Sequence, residues 1–172
     1  MGGYFQRQLA DYVEYHRDPI NCAMHVLGIL LLFTGATLPL TLVTFPLFGI
    51  QVSLAVLLAL PVLAYWLLLD AGLGLGILAA AVVLLSVATA IGNQVSVVMM
   101  WSIFAVLIAL GVTSQIVGHR VFEERQPSMV DHPAHFLLGP MFVMAKLFIS
   151  LGFRRDLAAI VAPLPGNSLS TR

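Results

Sequence analysis

Between Val26 and Gly118 the chain carries a single charged residue, Asp70. A run of that length cannot present a water-facing surface, because soluble domains are about one-quarter charged. It has to meet lipid. A helical crossing takes about 20 predominantly apolar residues, so the run holds four helices. Pro, Gly and polar clusters mark the cuts: Phe45-Pro46-Leu47-Phe48-Gly49, then Asp70 with Gly72, then Gly92-Asn93-Gln94. The expected spans are residues 19–44, 52–69, 73–91 and 95–119. Strands are not expected, since the apolar runs are continuous and exceed the roughly 9–11 residues of a membrane β-strand. The fold class is an all-α, polytopic transmembrane helical bundle. One membrane-embedded domain covers 1–157, and 158–172 reads as a flexible tail. Gly72, Gly74 and Gly76 suit a close helix-packing face, and no strand precedes them to make a phosphate loop.

Basic residues set the orientation. Arg7 and Arg17 precede the first span, Arg120 and Arg125 follow the fourth, and the three connections hold no Lys or Arg. The positive-inside rule then puts the N-terminus and the segment after Gly118 in the cytoplasm, from a bacterial inner membrane or an endoplasmic reticulum. A fifth apolar stretch, 136–151, is 16 residues long, contains Lys146 and is followed by Arg154 and Arg155. A crossing there would export the basic pair, so a re-entrant or interfacial helix is expected. Asp70 reads as a turn residue at the far face. Eight basic and eight acidic residues cancel, which leaves no net charge to attract nucleic acid. The single cysteine, Cys22, excludes an internal disulfide and a Cys-rich metal motif. The polar stretch with Asp11, Glu14 and Asp18 before the first long apolar run is unlike a cleavable leader.

The polar residues gather in two places. Tyr15-His16-Arg17-Asp18-Pro19-Ile20-Asn21-Cys22-Ala23-Met24-His25 opens the first span. Asp18 suits an N-cap and Pro19 the first helical position, which puts Asn21 and His25 on one face. In the second cluster Gln115, His119 and Glu123 recur every four residues, with Gly118 removing bulk beside His119. His25 and His119 lie more than ninety residues apart, yet four crossings return them to one membrane level, flanked by His16, His132 and His135. Neutral imidazole suits Fe, Zn, Cu or Ni, and Asp131 or Glu123 can complete the shell or orient a ligand from outside it. Each residue also has a plainer reading. His16 fits an interfacial position beside Arg17, solvation accounts for His132 and His135, and Asn21 and Gln115 can bond backbone or each other across helices. Polar groups near the apolar block, such as His25 and His119, are costly there and often functional.

The two clusters form Tyr-His-x-x-Pro-x-Asn-x-x-x-His and Gln-x-x-Gly-His-x-x-Phe-Glu-x-x-x-Pro, through Tyr15, His16, Pro19, Asn21, His25 and then Gln115, Gly118, His119, Phe122, Glu123, Pro127. The pattern resembles the Mpo-type 2-hydroxy fatty acid dioxygenases. Gly139-Pro140-Met141-Phe142-Val143 and Leu151-Gly152-Phe153-Arg154 are similar too, so the likeness runs from about Tyr4 to Leu157. It implies an Fe(II)-dependent membrane enzyme of fatty acid α-oxidation. Such an enzyme takes a long-chain 2-hydroxy acid and O₂, and releases CO₂ and an acid one carbon shorter. His16, His25, His119 and His132 would hold the metal, with His135 and Asp131 as further candidates, and Asn21, Gln115 and Glu123 would serve the reaction. The chain departs from the pattern at Lys146, where an acidic residue is common, and at His132, where Asn is usual.

Two other function classes compete. A metal transporter would carry polar groups near the bilayer midplane, and the spans offer almost none. A structural or assembly protein would leave the histidines without a task. A lipid hydrolase lacks a Gly-x-Ser-x-Gly nucleophile.

Overall fold

The computed structural model describes residues 3–124 and 133–161. Its first element is an amphipathic helix, α1 (Gly3–Val13), which buries Phe5, Leu9, Tyr12 and Val13 on one stripe. Then α2 (Pro19–Leu40) starts where the sequence indicates: the Asp18 carboxylate accepts from the backbone N–H groups of Ile20 (2.8 Å) and Asn21 (2.9 Å). It stops at Leu40 rather than near 44. Pro39 removes a hydrogen bond from the last turn, and the Thr41 hydroxyl closes it on the Leu38 carbonyl at 2.7 Å.

The following residues correct the all-helical expectation. Strands β1 (Thr44–Leu47) and β2 (Ile50–Ser53) form an antiparallel hairpin that pairs Thr44 with Ser53 and Leu47 with Ile50. Phe48 and Gly49 turn it with φ of 49° and 81°, the two left-handed residues that a tight primed turn requires. The β-branched and aromatic residues on either side favour strand over helix.

Helices α3 (Leu54–Leu69), α4 (Ala71–Gln94) and α5 (Val97–Val117) follow, N-capped by Ser53, Asp70 and Ser96. Past Val117 the helix continues through one π-turn, Gly118–Phe122. Among the described residues, three helices are long and apolar enough to cross a membrane: Pro19–Leu40, Ala71–Gln94 and Val97–Phe122. Although the sequence suggests four, α3 has only 16 residues, about 24 Å of helix. It packs along α4. A 3₁₀ segment (Pro133–Leu137) leads into α6 (Gly139–Ser150), and α7 (Arg155–Val161) reaches past residue 157 to bury Leu157 and Val161.

Glycines set the close approaches. The Gly72–Gly76 stripe does meet neighbours: a Cβ on Gly74 would lie 2.8 Å from the Leu67 Cα, and one on Gly76 would lie 2.8 Å from Met144 Sδ in α6. The most extensive helix contact is α2 on α5. There a Cβ on Gly28 would fall 3.1 Å from the Gly111 carbonyl oxygen, and one on Gly111 would fall 2.7 Å from Leu32 Cγ.

Asp70 stands at the histidine end of the bundle, not the far face. Two helical passes return the chain there. Trp66, one turn earlier, donates its indole N–H to the Leu137 carbonyl (2.7 Å), close to where His135 meets the Tyr12 ring. The Asp70 carboxylate caps α4 at Leu73 N–H (3.0 Å) and accepts two bonds from Arg154, from Nη1 at 2.6 Å and from Nη2 at 3.0 Å. Asp70 is buried, so Arg154→Ala leaves its charge uncompensated. The expected cost is about 3 kcal/mol, read as a fall in the thermal midpoint of the purified protein. An unchanged midpoint would mean that the pair contributes nothing.

Candidate metal centre

Three imidazoles from two separate regions of the chain meet at one point. His16 lies in the short link between α1 and α2, His25 lies two turns into α2, and His119 lies in the π-turn that extends α5. Their exposures are 3%, 7% and 1%. Each offers one ring nitrogen, and the three nitrogens lie within 4.8 Å of one another. Ring centroids are 4.4 Å apart for His16 and His25, 4.8 Å for His16 and His119, and 5.6 Å for His25 and His119. The π-turn is what aims His119. A single i→i+5 turn rotates the helix locally, and such turns recur at functional sites.

The hydrogen bonds orient the rings. His16 Nδ1 donates to the Tyr12 carbonyl (2.9 Å), which leaves its Nε2 as the lone-pair nitrogen, 3.4 Å from His25 Nδ1. The Tyr12 hydroxyl is hydrogen-bonded to His25 Nε2 at 2.6 Å, and its ring stacks on His16 at 4.2 Å. Burial, and then the neighbouring His25, pushes the His16 pKa down to about 2, so the ring stays neutral at physiological pH. Burial, with Cys22 as the second cause, holds the Tyr12 phenol above its usual range, so it remains a proton donor. His119 Nδ1 is buried with no hydrogen-bond partner. Buried polar atoms are rarely left so. Three imidazoles that each bring one ring nitrogen to within 4.8 Å of the others form a donor set that fits a transition metal.

The remaining candidates surround this triad. Glu123 accepts from the Asp18 backbone N–H (2.6 Å) and from the Asn21 amide (3.3 Å), tying the end of α5 to the start of α2. The Asn21 amide also donates to the Tyr15 carbonyl (3.3 Å), and its Oδ1 is buried without a partner. Gln115 donates to the His25 carbonyl (3.0 Å), with Ser114 beside it on the Met24 carbonyl (2.7 Å). A Cβ on Gly118 would come 2.5 Å from Asn21 Oδ1, so the glycine lets α2 and the π-turn touch. His135 is buried beside the triad, its ring 5.5 Å from that of Tyr12 and 6.2 Å from that of Tyr15. Asp131 and His132 lie outside the described residues. Lys146 donates to Cys22 Sγ (3.2 Å), which in turn donates to the His16 carbonyl (3.2 Å).

The sequence reading missed Tyr12, which touches two of the three histidines. The signal was present: Phe5, Leu9 and Tyr12 recur at helical spacing.

The chain matches, over residues 3–151, the family described as 2-hydroxy-palmitic acid dioxygenase Mpo1-like. It is similar to the 2-hydroxy-palmitic acid dioxygenase MPO1 of Saccharomyces cerevisiae, with 30% identity over 154 residues that cover 88% of this chain and 84% of that protein. No solved structure matches it.

Proposed function

This chain belongs to the 2-hydroxy-palmitic acid dioxygenase Mpo1-like family, and from that premise we propose that it is an Fe(II)-dependent membrane dioxygenase of long-chain 2-hydroxy fatty acids. The observation that carries the reading is the convergence of His16, His25 and His119, buried within 4.8 Å of one another. In the proposed reaction the hydroxy acid and O₂ give CO₂, water and an acid one carbon shorter. All four electrons taken up by O₂ come from the substrate, so no further reductant enters the balance.

The three histidines hold the iron, which supplies the one-electron and O₂ chemistry that side chains lack. The rest is done by the chain. Tyr12 fixes the ring plane of His16 by stacking and that of His25 by its hydroxyl, as partners behind a metal ligand do. Gln115 and Glu123 hold α2 against α5, so that His25 and His119 keep their spacing. The burial of all three rings keeps water out. Asn21, with its unpartnered Oδ1 beside Gly118, offers an acceptor at the edge of the cluster. His132, His135 and Asp131 are held in reserve as additional ligands. In this reading α3 also crosses, α6 re-enters from the histidine side, and that side is cytoplasmic. The acid's head group then lies at the membrane surface while its chain remains in lipid.

Transport fits less well. The hydroxyls of Ser86, Thr89 and Ser102, in the spans, bond carbonyls of their own helices and offer no path for an ion. The test is turnover by iron-loaded, detergent-purified protein given 2-hydroxypalmitate and O₂. Pentadecanoic acid and CO₂ in equal amounts are expected. Iron-loaded protein that forms neither would overturn the reading.

A further inference from the structure

An apolar groove opens beside the triad, bounded by α2, α4, α6 and the Trp66 ring. Its walls include Val26, Ile29 and Phe33 of α2, Ala80 and Leu84 of α4, and Val143 of α6. Among its lining residues the one side-chain nitrogen or oxygen, the Trp66 indole nitrogen, is already bonded to the Leu137 carbonyl. Such a lining offers nothing to a polar ligand and suits hydrocarbon alone.

The groove starts at Val26 and Ile29, within about one helical turn of His25 on α2. Val26 follows His25, and Ile29 lies one turn further on the same face of α2. On the opposite wall a Cβ on Gly139 would lie 3.4 Å from His25 Nε2 and 2.9 Å from Ile29 Cδ1. Glycine there lets the start of α6 approach Tyr12, His25 and Ile29 closely. From Val26 to Phe33 the helix rises about 10 Å, and an extended chain advances about 1.2 Å per bond, so roughly eight carbons fit. The mouth is lateral: Leu30, on the rim, is 43% exposed on a membrane-spanning helix.

We infer that this groove holds the first carbons of the substrate's acyl chain and lets the remainder leave sideways into the bilayer. The inference rests on the dioxygenase reading above and adds a specificity rule to it. A chain already in lipid gains no hydrophobic energy on entering an apolar groove. The groove therefore contributes alignment, holding the head group against the histidines. The enzyme reads the proximal carbons and ignores the length beyond them.

The experiment uses the full chain, iron-loaded, in nanodiscs, with 2-hydroxypalmitic acids carrying a diazirine at carbon 6 or at carbon 14. The carbon-6 probe should label groove residues in competition with 2-hydroxypalmitate, and the carbon-14 probe should not. Ala80→Phe, with Val143→Phe as a second filling variant, should lower groove labelling at least tenfold. Both should cut the preference for 2-hydroxypalmitate over 2-hydroxybutyrate by a similar factor. Leu75→Phe, on the exposed side of α4, should change neither, and iron content reports that each variant has folded. Two results would overturn the inference: carbon-6 labelling confined to exposed side chains such as Leu75, or groove labelling displaced equally well by unhydroxylated palmitate, which marks an ordinary bilayer chain. A shortened product without groove labelling sinks the groove and spares the dioxygenase. Competed groove labelling without any product supports the groove and sinks the dioxygenase.

Discussion

His25→Ala and His119→Ala, purified in mild detergent under reducing conditions, should each retain at least ~10-fold less metal than the wild type. Loss of an outer partner of a metal ligand already costs about 10–100-fold in affinity, and loss of the ligand itself costs no less. The wild type should carry close to one ion per chain, iron or a substitute such as zinc, because the described residues contain one such cluster. Helicity should survive in both variants. The α2–α5 contact is made by Gly28, Leu32, Gly35, Leu107, Ile108 and Gly111, none of which depends on an imidazole. Elemental analysis beside circular dichroism separates metal loss from unfolding. If both variants hold as much metal as the wild type, or the wild type holds none, the triad is not a metal site.

Gly28→Leu tests the same site from a distance and should be almost as damaging. A Cβ at position 28 already collides with the Gln115 amide nitrogen and sits 3.1 Å from the Gly111 carbonyl oxygen. A leucine there has to push α5 away from α2. It also displaces the amide that Gln115 gives to the His25 carbonyl. Overpacking costs about 1–3 kcal/mol, but the functional loss should be larger. His25 and His119 ride on the two helices being separated, and a displacement near 1 Å at a catalytic centre can cost about 100-fold. Metal content and turnover should both fall at least tenfold. Ala79→Leu, on the exposed side of α4, should leave them unchanged. Wild-type metal content in Gly28→Leu would mean that the helix contact does not set the spacing of the ligands.

Much of this was legible in the residues, for a physical reason. Lipid leaves a chain few ways to place a polar group, so His16, His25 and His119 stand out of an apolar sequence as they would not from a soluble one. Asp18 and Pro19 announced the start of α2, and Gly118 announced a close approach. The hairpin at Thr44–Ser53 was hidden because a short apolar run reads alike as helix or strand. Its strand character depends on two consecutive left-handed residues, one of them the non-glycine Phe48. The π-turn was hidden as well. Gln115, His119 and Glu123 fit an α-helical repeat, and only the surroundings of His119 shift the bond pattern by one residue. Tyr12 was hidden because α1 is short and carries Arg7 and Asp11 beside its apolar stripe. The placement of Asp70 was recoverable by counting crossings.

The clasp between Glu123 and the start of α2 has a consequence for how the protein is made. Two of the triad's nitrogens leave the ribosome within the first 25 residues, and the third follows more than ninety residues later. At about 5–20 residues per second that is a wait of roughly 5–20 s, during which His16 and His25 have no third partner and the Asp18 N–H has no carboxylate to receive it. The centre is therefore among the last parts of the molecule to exist, completed only when α5 has inserted and docked on α2. On the dioxygenase reading proposed above, metal loading is then a post-insertional event, and a chain truncated before His119 lacks the third ligand.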